Sequence, residues 1–147
     1  MGFNSQQVYI SEVFMLEKRK TEIKIDFSIV GEHIDFEDIT LSIGITPTNT
    51  REKEDYKIKE YAKDSWSLST GYINAMEISS VFESLINGLF GKEDIINRLI
   101  DKYSLEPLFI VVIKADLDNR PEFILCSKCI KFASAVGADI HFDLYFY

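Results

Sequence analysis

The chain has 147 residues, and its 24 acidic and 16 basic side chains give a formal net charge of -8. That charge repels a phosphate backbone, which argues against direct nucleic-acid binding. The length and a hydrophobic content of 46% suit one globular domain with its own core, and no apolar run approaches the roughly 20 residues that cross a bilayer.

The amino-terminal sequence also bears on where the protein acts. Residues 1–7 lack the basic start and the apolar centre of a signal peptide. We therefore expect a cytoplasmic protein. In that compartment the two cysteines, Cys126 and Cys129, are expected to be free thiols.

Two strands are predicted in the first 30 residues. Apolar residues are frequent in residues 8–16 but alternate poorly, whereas residues 21–30 keep a period of two throughout. The charged cluster Glu17-Lys18-Arg19-Lys20 separates the two segments. The pattern predicts an antiparallel pair joined by a charged turn.

A short helix with a defined start and end is predicted next. Asp35 is suited to cap it, and Gly44 just past its last apolar position is expected to take the left-handed conformation that ends a helix. Pro47 then prevents the helix from resuming. The apolar stripe of this helix consists of Phe36, Ile39 and Ile43.

The middle of the chain changes from charged to apolar. Residues 49–64 predict a mobile charged loop leading to an edge strand, and Trp66 begins a further short strand that ends near Gly71. Helical spacing of apolar residues predicts a helix over residues 78–90 and a second one, after Gly91, that reaches Tyr103. The apolar run of residues 108–113 predicts a central strand.

A last helix and a last strand complete the pattern. Ser127 is suited to cap the helix and Gly137 to end it. Residues 139–147 alternate cleanly, so they predict a strand with an apolar and a polar face. The chain is therefore predicted to be one α+β domain, residues 1–147, with an antiparallel sheet of about five or six strands and helices mainly on one face.

Several short signals in the same order resemble a bacterial family of uncharacterised domains known as domain of unknown function 4279. The resemblance covers residues 21–147 and leaves residues 1–20 as an amino-terminal extension with a predicted strand. The matching features are Ile39-Thr40, Gly44-Ile45-Thr46-Pro47-Thr48, Trp66, Pro121 and Asp139-Ile140-His141-Phe142-Asp143-Leu144-Tyr145. Ile43 stands where the family has leucine. The resemblance implies the fold rather than an activity, because the family has no assigned catalytic residues.

Two interpretations of Cys126-Ser127-Lys128-Cys129 stay open. The motif lies where a strand meets a helix, which is typical of a redox-active pair, although a thioredoxin-like domain has its motif early in a βαβ unit and this one is near the carboxyl terminus. The alternative is two thiols, one of them facing the core. A zinc site is not expected, because only His33 and His141 remain to complete four ligands.

The polar face of the last strand also has two interpretations. Its side chains could bind a metal or move protons if they lined a pocket, or they could simply face solvent. They are Asp139, His141, Asp143 and Tyr145. Because no known catalytic sequence motif occurs elsewhere, we predict neither a catalytic residue nor a cofactor.

Acidic residues near the first helix and a single tryptophan are the candidate contacts for a partner. They are Glu32, Asp35, Glu37, Asp38 and Trp66. The acidic residues could instead serve helix capping, and the tryptophan could instead be buried. We predict a protein-binding domain, in its sharpest form an immunity protein that neutralises a basic toxin. An enzyme or metal-dependent protein using the polar strand face, and a small-ligand binder or scaffold, remain as alternatives.

Overall fold

The computed structural model describes residues 20–147, which form six strands and four α-helices. The strands are β1 (Glu22–Gly31), β2 (Asn49–Arg51), β3 (Asp64–Ser69), β4 (Ile73–Asn74), β5 (Glu106–Ala115) and β6 (Asp139–Phe146). The helices are α1 (Phe36–Ile43), α2 (Ile78–Ile86), α3 (Glu93–Tyr103) and α4 (Ser127–Ala135), and 3₁₀ turns occupy Lys53–Asp55 and Lys59–Tyr61.

All six strands belong to one sheet, in which β2, β3, β1, β5 and β6 are neighbours in that order and β4 pairs with the start of β1. The pairs are antiparallel except β5 with β6, which are parallel. This last pair is parallel because α4 carries the chain back to the end of the sheet where β5 began. The predicted α+β class is confirmed, with one parallel strand in a mostly antiparallel sheet.

The core lies between one face of the sheet and the helices. Alternate residues of the two central strands point into it and are fully buried: Ile23, Ile25, Phe27 and Ile29 from β1, and Phe109, Val111 and Ile113 from β5. The Phe109 ring lies 4.9 Å from that of Phe27 and 4.7 Å from that of Phe82 in α2. The period of two in residues 21–30 therefore places one face of β1 in the core.

The Thr40 to Thr48 motif is structural. The Gly44 amide donates to the Thr40 carbonyl over 2.9 Å, and Gly44 has a φ of 77°, as predicted. The Thr40 hydroxyl accepts a hydrogen bond from the buried Trp66 indole at 3.0 Å. Thr48 accepts one from the Ser69 amide at 3.0 Å. These bonds fix α1 and the turn after it to β3.

Three of the predicted boundaries and loops were wrong in detail. The helix predicted over residues 78–90 ends at Ile86, and turns continue to Gly91. The residue at the cap position of α4 is Cys126 rather than Ser127. The charged segment 49–64 begins with the edge strand β2 and continues into two 3₁₀ turns, whereas β3 has a neighbour on each side.

Asp64 belongs to the segment 49–64 that was predicted to be a charged surface loop, yet it lies in the interior. The side chain is buried, and its carboxylate accepts hydrogen bonds from the Ile34 amide at 3.0 Å and the Lys53 amide at 2.9 Å. A carboxylate that looks like surface charge in the sequence therefore joins three segments of backbone.

The strand predicted over residues 8–16 lies outside the described residues. Its predicted partner, β1, has β3 and β4 on one edge and β5 on the other.

Candidate functional site

A groove lies at the end of the sheet where β1 ends and β5 and β6 begin. Its volume is about 630 Å³, and it is partly open to solvent. The polar and aromatic side chains that line it are Tyr56, Tyr61, Lys63, Glu106, Asp139 and His141.

Strand register places the histidine and one aspartate in this groove. Asp139 lies opposite Leu108, and His141 lies opposite Ile110, in the parallel pair of β5 and β6. Because Phe109 and Val111 point into the core, their neighbours Leu108 and Ile110 point to the opposite face of the sheet. Alternation along β6 thus directs Asp139 and His141 to the groove.

The 3₁₀ turns between β2 and β3 supply the aromatic side of the groove. Tyr61 ends the second turn and is 81% exposed. Tyr56 follows the first turn, and the Arg51 guanidinium lies 3.7 Å from its ring centre. A cation thus already occupies one tyrosine face of this groove.

Carboxylates surround this end of the sheet. Glu106 begins β5, and its side chain lies 3.5 Å from the Lys63 ammonium in a largely exposed ion pair. Asp139 begins β6, and both of these acids line the groove. Glu32 and Asp35 are exposed in the loop that follows β1, which ends at the same end of the sheet. Lys63 also lines the groove, so two carboxylates and one ammonium leave one net negative charge on its lining.

Of the predicted acidic contacts, Asp38 is already engaged within the molecule. Its carboxylate accepts hydrogen bonds from Lys102 at 2.8 Å, Tyr103 at 2.5 Å and Ser42 at 3.1 Å. The Lys102 ammonium is the largest cause that lowers the pKa of Asp38 to about 2, followed by Tyr103. The same contacts raise the pKa of Lys102 and of Tyr103. Asp38 thus joins α1 to the end of α3.

Three other predicted contacts differ in how accessible they are to a partner. Trp66 is fully buried, so it cannot serve as an exposed anchor, and its place among the binding residues was wrong. Trp66 is buried because it lies on the core side of β3, where its indole N–H donates a hydrogen bond to the Thr40 hydroxyl. Asp35 has one carboxylate oxygen in the predicted cap to the Asp38 amide at 3.0 Å, while Glu37 is exposed in the first turn of α1.

The four polar residues of β6 do not act as one cluster. Asp139 and His141 line the groove, whereas Asp143 and Tyr145 lie farther along the strand. The Tyr145 hydroxyl donates to the Asp143 carboxylate at 3.0 Å, and this bond raises the pKa of Tyr145. Within residues 20–147 no three His, Cys, Asp or Glu side chains are grouped as metal ligands.

The apolar face of β6 is less covered than its alternation suggests. Ile140 is half-buried against the core, but Phe142 is 45%, Leu144 43% and Phe146 37% exposed. In the described part of the chain, β5 is the one strand paired with β6. The apolar side chains of the sheet are therefore less buried at this edge than in its centre.

Sequence reasoning missed the tyrosine side of the groove and Glu106. Tyr56 and Tyr61 did stand out as aromatic residues in a charged segment, which is a usable signal for a binding surface. Glu106 and Lys63 gave no such signal, since they come together only when β3 and β5 flank β1.

Comparison with known proteins gives one match. A family model described as Domain of unknown function (DUF4279) matches residues 21–147. Neither a curated protein nor a solved structure matches. In residues 20–147, every helix is too short or too polar to cross a membrane.

Proposed function

The chain belongs to the DUF4279 family, and we propose that it is a non-catalytic, cytoplasmic protein-binding domain whose groove receives a basic segment of its partner. The observation that carries the proposal is a groove with tyrosine walls that is also lined by the carboxylates Glu106 and Asp139. The narrower form of the proposal is an immunity protein that neutralises a basic bacterial toxin.

Charge supports a cationic partner. The chain carries a net charge of -8, and Glu106 and Asp139 lie in the groove itself. Complementary charge speeds encounter and disfavours acidic partners. The Arg51 guanidinium on Tyr56 is an intramolecular example of the contact that a partner's arginine or lysine would make with Tyr61.

Shape favours a protein segment over a small molecule. A volume of about 630 Å³ would hold a small ligand, but the groove is only partly enclosed. Small-molecule sites usually enclose most of their ligand's surface, whereas a peptide segment binds while leaving its ends free. Tyrosine is also among the residue types that contribute most of the binding energy in protein interfaces.

The test is the binding kinetics of the purified protein with the product of the gene next to its own. We expect an on-rate that falls steeply with salt, because exposed charges are screened beyond about 8 Å at physiological ionic strength. Glu106→Lys with Asp139→Lys should lower the on-rate by about tenfold or more. Its matched control is Asp116→Lys with Asp118→Lys, which makes the same charge change where β5 ends.

The comparison between the two charge variants decides the outcome. A slower on-rate for the groove variant alone supports docking at the groove. Equal slowing by both variants would mean that only net charge matters, and binding that neither variant nor salt affects would overturn the proposal. Tyr61→Ala should raise the off-rate, since a tyrosine contact forms after encounter.

A further inference from the structure

The two cysteines lie in direct contact at the start of α4. The sulfur atoms of Cys126 and Cys129 are 3.1 Å apart, and both residues are free thiols. Cys129 is fully buried and Cys126 is half-buried. The sequence left open a redox-active pair or two thiols of which one faces the core. Cys129 does face the core, and the short distance between the two sulfur atoms is also compatible with a redox-active pair.

The position of the pair in the fold removes the objection drawn from the sequence. The motif lies at the beginning of α4, and α4 is the crossover between the parallel strands β5 and β6. The cysteines therefore do occupy a βαβ unit, at the amino-terminal end of its helix, although they are near the end of the chain. This is the local setting in which C-x-x-C pairs exchange disulfides.

A carboxylate completes the cluster. The Cys126 thiol donates to the Glu83 carboxylate of α2 at 3.2 Å. The Cys126 amide donates to the Ser79 hydroxyl at 3.0 Å, and that hydroxyl donates to the Ile124 carbonyl at 2.6 Å, so α2 also fixes the backbone before the thiol. Glu83 is placed to take the thiol proton.

We propose that Cys126 and Cys129 form a redox-active dithiol that reduces one disulfide of a thiol compound or protein in a stoichiometric reaction outside the groove, with Cys126 as the attacking thiol. Burial assigns the two roles. An external disulfide can reach half-buried Cys126, whereas fully buried Cys129 can reach only its neighbour. Desolvation, with the contact to Cys126, raises the pKa of Cys129 to about 12, which keeps it protonated until the second step.

The reaction balances in two steps. Cys126 gives its proton to Glu83, its sulfur bonds to one sulfur of the external disulfide, and the other sulfur leaves as a thiolate that takes up a proton. Cys129 then attacks the Cys126 sulfur and breaks the mixed disulfide, and the Cys129 proton passes to the departing sulfur, which leaves as the second thiol. Two protein thiols and one disulfide become one protein disulfide and two thiols, so the protein is oxidised by two electrons.

Exposed apolar residues around the pair fit a protein disulfide as substrate. Phe123 is 48%, Ile124 57% and Ile130 51% exposed, and all three lie within four positions of Cys126 in the sequence. Such side chains would contact the backbone and apolar residues that flank a partner's disulfide.

The test uses the reduced full-length protein, with oxidised glutathione as the probe, thiol counting and mass spectrometry. The wild type should lose both thiols together and end two hydrogens lighter. Cys129→Ser should accumulate glutathione on Cys126, at least about tenfold faster than Cys126→Ser acquires it on Cys129. Cys129→Ala serves as the second variant if serine disturbs the core, and circular dichroism checks the fold of each.

Glu83→Gln separates proton transfer from packing. This variant should slow the loss of thiols near neutral pH and shift the pH profile of the rate, while leaving the thermal midpoint nearly unchanged. Three results would overturn the proposal: a folded wild type that does not react, a glutathione adduct that never closes to the disulfide, or equal reactivity of the two single-cysteine variants.

Discussion

Gly44 ends α1 in a conformation that costs a branched side chain more than it costs glycine. Its φ is 77°, and a Cβ built there would meet only the Lys92 ammonium at 3.7 Å, which is an ordinary contact. Any loss on substitution therefore comes from backbone strain rather than from collision. The Lys92 ammonium also donates to the Ile43 carbonyl at 2.7 Å, so this helix end is satisfied by a side chain as well.

We predict that Gly44→Val lowers the free energy of unfolding by at least about 1 kcal/mol, because valine strongly disfavours the left-handed conformation. Urea denaturation measures the loss. Gly44→Asn is the control, since asparagine tolerates this conformation, and it should lose clearly less. Equal losses for valine and asparagine would contradict strain as the cause.

Asp38 gives the fold a defined acid sensitivity. Its pKa falls from 3.8 to about 2 in the native state, chiefly through Lys102. A carboxyl with a depressed native pKa stabilises the fold fully above its unfolded pKa and loses that contribution as pH falls through the native value. The stabilisation is therefore present above pH 3.8 and disappears toward about pH 2.

We predict that Asp38→Asn flattens the dependence of unfolding free energy on pH across that window. Lys102→Met should flatten it as well, because it removes the principal cause of the shift. Urea denaturation at a series of acidic pH values measures both slopes. If the wild type and Asp38→Asn had the same slope, the Asp38 contacts would not be formed in solution.

Among the secondary-structure elements, the strands and the helix ends could be predicted from the sequence, but the pairing of the strands could not. The period of two predicted β1 and β6, and Asp35 with Gly44 predicted both ends of α1, because those signals are local. The parallel pairing of β6 and the neighbours of β3 depend on contacts far apart in sequence. Local patterns carry no such information, so the predicted position of the edge strand was wrong.

The residues of the candidate site could likewise be predicted only where the signal was local. Asp139 and His141 could be placed on the polar face of a strand from their spacing, and β6 does place them there. The tyrosine walls and Glu106 required the 3₁₀ turns and β5 to meet at one end of the sheet. Trp66 could not be assigned from its type alone, because residue type does not determine burial: it and the charged Asp64 are both buried and hydrogen-bonded.

The molecule as a whole has a core that is deep at β1 and β5 and shallow at β6. The pair formed by Ile113 and Leu144 shows this directly. The two residues lie opposite each other on the helix-facing side of neighbouring strands, yet Ile113 is fully buried and Leu144 is 43% exposed. Side chains of similar size and orientation thus differ in how many neighbours the helices provide.

We predict that Ile113→Ala lowers the free energy of unfolding by about 2–5 kcal/mol, because it removes buried methyl groups and leaves a cavity among packed side chains. Leu144→Ala should cost less than half as much, since a partly exposed side chain loses less transfer free energy and the space it leaves fills with water. Urea denaturation of both variants at one pH makes the comparison. Equal losses would mean that Leu144 is covered in solution, and the edge of the sheet at β6 would then belong to the core rather than to the surface.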